Sequence, residues 1–199
     1  MLINFYERNK IMGRYIGPRK KYLRRFGLLH EADEKKEIKR QKRKTAYGIR
    51  FEEKQKLKFI YGVAERQFGR YVRESLNSHE DPAVMLYRKL ETRLDNVIYR
   101  LGFAATRPQA RQLASYGHVL VNGARVDIPS YHVAPRDDIT LAGEMLSSPA
   151  VQESLSKKKP IDLPSWLERG GGVGRVKHYP KKEEIRKDID FENVIAFYL

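Results

Sequence analysis

Cysteine is absent from the 199 residues, which excludes disulfides, thiolate metal sites and a cysteine nucleophile. Tryptophan occurs once. No stretch approaches the ~20 apolar residues of a membrane-spanning helix. Arg8 and Lys10 precede no apolar run, so no secretory signal is expected. Acidic residues are the remaining shortage. Against 40 Lys plus Arg stand 25 Asp plus Glu, a formal net charge of +15. With 41% hydrophobic residues the chain is too apolar for complete disorder, and its length allows one or two modest domains. A surplus of this size calls for a polyanionic partner.

The surplus is unevenly placed. Residues 1–50 hold 16 Lys plus Arg and 5 Asp plus Glu, a local net of +11, so the other 149 residues carry only +4. Residues 1–45 therefore read as a basic arm. It includes Arg14, Arg19, Lys20, Lys21, Arg24, Arg25, Lys42, Arg43 and Lys44. Tyr15, Tyr22, Phe26 and Tyr47 interleave with these cations, as expected where rings stack on bases between phosphate contacts. Self-repulsion and scarce apolar residues predict that the arm orders only on its partner.

From Lys54 to Leu76 a helical apolar stripe runs through Leu57, Ile60, Ala64, Phe68, Tyr71 and Val72. Arg66, Arg70 and Arg73 form a cationic stripe at the same spacing, and Gly62 and Gly69 interrupt the segment. Residues 83–101 repeat the pattern, with Leu86, Leu90, Leu94, Val97, Ile98 and Leu101 on one side and Arg93 and Arg100 projecting elsewhere. A third helix is expected from Thr106 as N-cap, with Pro108 in its first turn, to about Tyr116. The period then changes. His118–Val121 and Arg125–Ile128 flank Asn122-Gly123, a hairpin signal, and Ile139–Leu141 adds a strand. Gly170-Gly171-Gly172 reads as a flexible turn. The apolar ending, with Ile189, Val194, Ile195, Phe197 and Tyr198, should dock.

Several blocks carry a resemblance. Thr92–Phe103, Ala105-Thr106-Arg107, Ala110–Leu113 and His118–Gly123 resemble the alpha-L RNA-binding module. Gly13–Pro18, Glu53–Leu57, Tyr61-Gly62-Val63, Glu65–Phe68, Pro164–Glu168 and Asp188–Tyr198 extend the resemblance, almost end to end, to the bacterial-type family of small-subunit ribosomal protein four. The implied fold is α+β: a helical domain (46–90 plus 180–199) with an inserted alpha-L module and its sheet and connector (91–179), preceded by the basic arm. The resemblance implies a structural constituent of the small ribosomal subunit, in the cytoplasm. It would bind the 5′ domain of the small-subunit rRNA directly, nucleate assembly and contribute to translational accuracy. Implied partners are ribosomal protein five and messenger RNA where it enters the subunit. Many family members hold zinc with cysteines in the arm. Lys20 and Leu23 stand where two would fall, and the arm between Gly27 and Tyr47 is shortened, so no metal and no cofactor is expected.

The candidate RNA contacts follow from chemistry and resemblance together. Arg107 and Arg111, four apart, share a helical face and can fork onto phosphate oxygens beside the helix start at Thr106. Arg93 and Arg100, seven apart, are expected to project from the preceding helix on one side. Tyr116, His118 and Arg125 lie beside the hairpin, with Gln112 and Asn122 in the matched blocks. Lys54 and Lys56, the stripe Arg66, Arg70 and Arg73, and the arm cations with Tyr15 complete the set. No catalysis is expected. Arg93-Leu94-Asp95 is similar to a triad of pseudouridine synthases, but there the catalytic Asp lies in a separate domain after the module. Here Asp95 should pair with a neighbouring arginine. Asp137-Asp138 reads as a turn pair, and the five histidines lack metal-ligand spacing.

Overall fold

The computed structural model describes residues 22, 23, 26, 45–156, 163–186 and 188–199. The arm's expected contacts Arg14, Tyr15, Arg19, Lys20, Lys21, Arg24, Arg25, Lys42, Arg43 and Lys44 lie outside them, as does the expected ordering of the arm. The chain divides into two compact units, Met1–Ser78 with Lys187–Leu199, and His79–Arg186. The boundaries expected near residues 90 and 180 both fall inside the second unit. Among the described residues there are eight α-helices and a five-stranded antiparallel sheet, the α+β class expected.

In the first unit, α1 (Ala46–Tyr61) starts at Thr45, whose hydroxyl accepts from the Gly48 N–H at 3.2 Å. It stops at Gly62, which takes the left-handed conformation at φ 62°. A new helix, α2 (Glu65–Leu76), then begins. The single stripe read over Lys54–Leu76 is thus two helices. Leu57, Ile60 and Tyr61 of α1 and Phe68, Tyr71 and Val72 of α2 are buried. The carboxy-terminal α8 (Phe191–Ala196) packs on α1 and buries Phe191, Val194 and Ile195. Its N-cap Asp190 accepts from the Asn193 N–H at 2.9 Å, and the Asp190 N–H donates to Glu53 at 3.1 Å. Tyr22 and Phe26 pack on Phe59, with ring centroids 5.3 and 5.8 Å away. They therefore fill a small aromatic cluster within the protein, where bases had been expected to stack on them.

In the second unit, α3 (Pro82–Glu91) and α4 (Leu94–Leu101) replace the one helix expected over residues 83–101. The break is made by tertiary contact. Arg93 is extended and forms a β-bridge with His132. The N–H groups of Leu94 and Asp95 donate to the carbonyls of Tyr131 and Pro129, supplying acceptors at the start of α4. Helix α5 (Arg107–Ser115) starts as expected: Thr106 Oγ1 accepts from the Gln109 N–H, and the Gln109 side chain accepts from the Ala105 N–H. Strands β1 (Val119–Val121) and β2 (Ala124–Arg125) form the hairpin, shorter than read, and β3 (Asp138–Leu141) pairs with β1. Helices α6 (Gly143–Leu146) and α7 (Pro149–Ser156) follow. The glycine run read as a flexible turn is the tip of a second hairpin, β4 (Leu167–Gly170) and β5 (Val173–Val176). The strand order is β2-β1-β3-β5-β4.

One face of this sheet is apolar. Val119, Val121, Ile139, Leu141, Leu167 and Val176 point into a single core with Leu94, Val97, Ile98 and Leu101 of α4 and Ala110, Leu113 and Ala114 of α5. Period-two alternation in β1, β3 and β5 is what allows one face to be dry. Each fully buried Leu or Ile is worth about 1.5–3 kcal/mol. Trp166, wholly buried, joins the same cluster. This core fixes α4 and α5 on the sheet, and so fixes the side chains that α4 and α5 carry outward.

Candidate nucleic-acid interface

Helices α4 and α5 pack closely, and a chain of charge-assisted hydrogen bonds links them. Arg93 Nε and Nη2 donate to Asp95 Oδ1 and Oδ2 at 3.0 and 2.7 Å. Arg111 Nε and Nη2 both donate to Asp95 Oδ2, at 2.8 and 2.6 Å. Beside this triad, Arg107 Nε donates to Asn96 Oδ1 at 2.8 Å, and the Arg107 guanidinium lies 4.4 Å from the centroid of the Tyr99 ring. Asn96 Nδ2 donates to the Glu91 carboxylate at 2.8 Å, which also receives Arg100 Nε and Nη2 at 3.0 and 2.6 Å. Each of these bonds has at least one ionised partner, which makes it stronger than a bond between neutral groups.

The structure therefore gathers Arg93, Arg100, Arg107 and Arg111 around the paired helices α4 and α5, but not as expected. Arg93 and Arg100 do not project from one face of one helix. Arg93 precedes α4, is 3% exposed and turns inward to Asp95, while Arg100 is drawn to the buried Glu91. Asp95 is an ion-pair acceptor, as expected from its setting. Arg107 and Arg111 hold the shared face of α5, half-buried, each with its Nε edge anchored on α4.

At the other end of α5 the surface opens. Tyr116 is 61% exposed, with the His118 ring edge-on to it at 6.3 Å. Arg125 reaches across the hairpin and donates to the carbonyls of Gly117 and Tyr116, closing the last turn of α5 with a cation where the helix dipole favours one. Thr106 and Gln112 are exposed. Asn122 is exposed too, but its amide is engaged with the Asp137 carboxylate at 2.7 Å and the Asp138 N–H at 2.9 Å. Asp138 is paired with Arg175 at 2.6 and 2.8 Å, and that guanidinium holds its carboxyl below the usual aspartate range.

The first unit carries its own cationic face. Arg66, Arg70 and Arg73 are exposed on α2, opposite the buried Phe68, Tyr71 and Val72. Lys54 is not part of this surface. It is 6% exposed, donates to Glu65 at 3.0 Å and sits 4.2 Å from the centroid of the Phe197 ring. Lys56 donates to the Asp188 carbonyl. Glu65 also receives Lys58 and, at 3.0 Å, the hydroxyl of Tyr198. Desolvation alone would raise the Glu65 pKa, but the hydrogen bonds from Lys58 and Lys54, the Lys58 charge and the Tyr198 hydroxyl hold it down at about 2. Among the described residues no group of three or more His, Asp or Glu could hold a metal ion.

Sequence reasoning missed Glu91 and Asn96 as organisers of this surface. Glu91 and Arg100 are nine apart, and Asn96 and Arg107 eleven, so neither pair follows from helical spacing. The folding of α3, α4 and α5 onto one another brings them together.

A dry sheet face carrying two short helices, with paired arginines on the second and an exposed tyrosine at its end, defines a small RNA-binding module. The S4 domain family matches here, over residues 92–139, and the family described as Ribosomal protein S4/S9 N-terminal domain matches residues 14–91. The small ribosomal subunit protein uS4 of Aquifex aeolicus is 42% identical, over 94% of this chain and 99% of the relative. That of Persephonella marina is 43% identical with the same coverage. The small ribosomal subunit protein uS4c of Arabis hirsuta is 47% identical over 78% of this chain and 82% of its own length. The chain belongs to the small ribosomal subunit protein uS4 family.

Proposed function

We infer that this protein is a structural, non-enzymatic constituent of the small ribosomal subunit that binds its rRNA directly, in the cytoplasm. The observation that carries the reading is the pair Arg107 and Arg111, one turn apart on α5 and each anchored on α4 by its Nε edge. Guanidiniums held in this way are fixed in direction, and their outer nitrogens can meet phosphate oxygens, reading backbone shape more than base sequence. Family membership over nearly the whole chain supports the ribosomal setting. We further propose, on the family resemblance, contact with the 5′ domain of the rRNA early in assembly, a role in decoding accuracy, and ribosomal protein five and incoming messenger RNA as neighbours. The arm cations, with Arg66, Arg70 and Arg73, would add phosphate contacts.

The test is binding of the full chain to a small-subunit rRNA transcript across a salt series. Affinity should fall steeply with salt as condensed counterions are released. Arg107→Ala with Arg111→Ala should weaken binding and reduce the salt slope by about two, one per lost phosphate contact. A flat salt dependence, or wild-type binding by a folded double variant, overturns the reading. Co-sedimentation with small subunits tests the ribosomal setting separately.

A further inference from the structure

We propose that Asp95 is a positioning residue for RNA, whose buried carboxylate, anchored by Arg93, sets the plane in which Arg111 meets a backbone phosphate. The proposal rests on the reading that α5 faces RNA, and it assigns a binding role to an acidic residue.

The side chains of the triad are graded in depth. Arg93 is 4% exposed, Asp95 5% and Arg111 20%. One carboxylate takes four hydrogen bonds from two guanidiniums, two from each. Arg93 pins both carboxylate oxygens, so the direction in which Oδ2 meets Arg111 is set from the protein interior. Arg111 answers with its Nε–Nη2 edge, and because the guanidinium is planar and rigid, this orients the whole group.

Stability alone is a poor account of such a triad. Buried ion pairs are often no better than apolar replacements, because desolvation of the charges offsets their attraction. The most exposed of the three groups is the cation Arg111. The neighbouring residue repeats the device: Asn96, tied to Glu91, receives Arg107 Nε, with the Tyr99 ring against the guanidinium. Two successive residues in the first turn of α4 thus set the two arginines that lie one turn apart on α5. The ligand this fits is a phosphodiester backbone, recognised through oxygen positions.

The test exploits the sign of the charge. Asp95→Asn raises the net charge by one, so electrostatics without positioning predicts tighter binding to a small-subunit rRNA transcript. Positioning predicts binding about tenfold weaker, the scale of one charge-assisted hydrogen bond, and a salt slope smaller by about one. In an Arg111→Ala background the Asp95→Asn effect should vanish, because the group it orients is gone. Arg111→Lys keeps the charge but not the fork, and should also bind several-fold more weakly. That variant alters only a partly exposed side chain, so it serves if Asp95→Asn does not fold. Unchanged or tighter binding by folded Asp95→Asn, an undiminished loss in the Arg111→Ala background, or wild-type binding by Arg111→Lys overturns the proposal. If Arg111→Ala itself binds like the wild type, it is the prior reading of α5 as the RNA face that fails.

Discussion

Replacing Phe191 by alanine asks whether the last helix is structural or peripheral. Phe191 is 3% exposed in α8, which packs on α1. Removing the ring forfeits its burial and leaves a cavity that the surroundings fill only in part. Losses for buried Phe→Ala are about 3–5 kcal/mol. Whole domains are stable by only about 5–15 kcal/mol, and small ones lie toward the lower end. The substitution should therefore remove much of the first unit's stability. Hydrogen exchange is the assay of choice, because it reports α1, α2 and α8 individually. Their amides should lose protection in step. Glu192→Ala, at the next and exposed position, is the control; it costs less than about 1 kcal/mol through the helix dipole. If Phe191→Ala shifts exchange no more than Glu192→Ala does, α8 is a dispensable tail and the reasoning is refuted.

Three further outcomes are expected. Because the folded Glu65 pKa is about 2, below its ordinary 4.5, its ion pairs stabilise the protein above pH 4.5, and that contribution is lost as pH falls toward 2. Denaturant unfolding of Glu65→Gln should show no such increment, about 1 kcal/mol after allowance for a half-exposed carboxylate; an acid profile identical to wild type contradicts this. Gly174→Ala would place a methyl 2.6 Å from Leu101 Cδ2, so overpacking should cost about 1–3 kcal/mol, and an unchanged melting temperature would show that the core gives way freely. Chelators should leave melting and RNA binding unaltered, since the chain has no cysteine to close a structural zinc site; stoichiometric zinc in purified protein would count against this.

Local chemistry made much of this protein legible in its sequence. The Thr106 cap, the Pro108 entry into α5, the Asn122-Gly123 hairpin and the apolar side of α4 each depend on residues a few positions apart, so they can be read along the chain. The cationic stripe of α2 was readable for the same reason. What only the tertiary structure decided involves partners distant in sequence. The helix read across residues 83–101 breaks at Arg93 because His132, forty residues nearer the carboxy-terminus than Thr92, supplies a strand partner. The glycine run 170–172 looked like slack chain, yet β5 pairs with β3 and turns it into the tip of a hairpin. Lys54 looked like an outward cation until α8 laid Phe197 and Tyr198 around it. Arg93 and Arg111 looked equivalent as charges; packing buried the first and left the second partly exposed. Charge and periodicity are properties of the chain, whereas the depth and direction of a guanidinium exist only once the elements around it have packed.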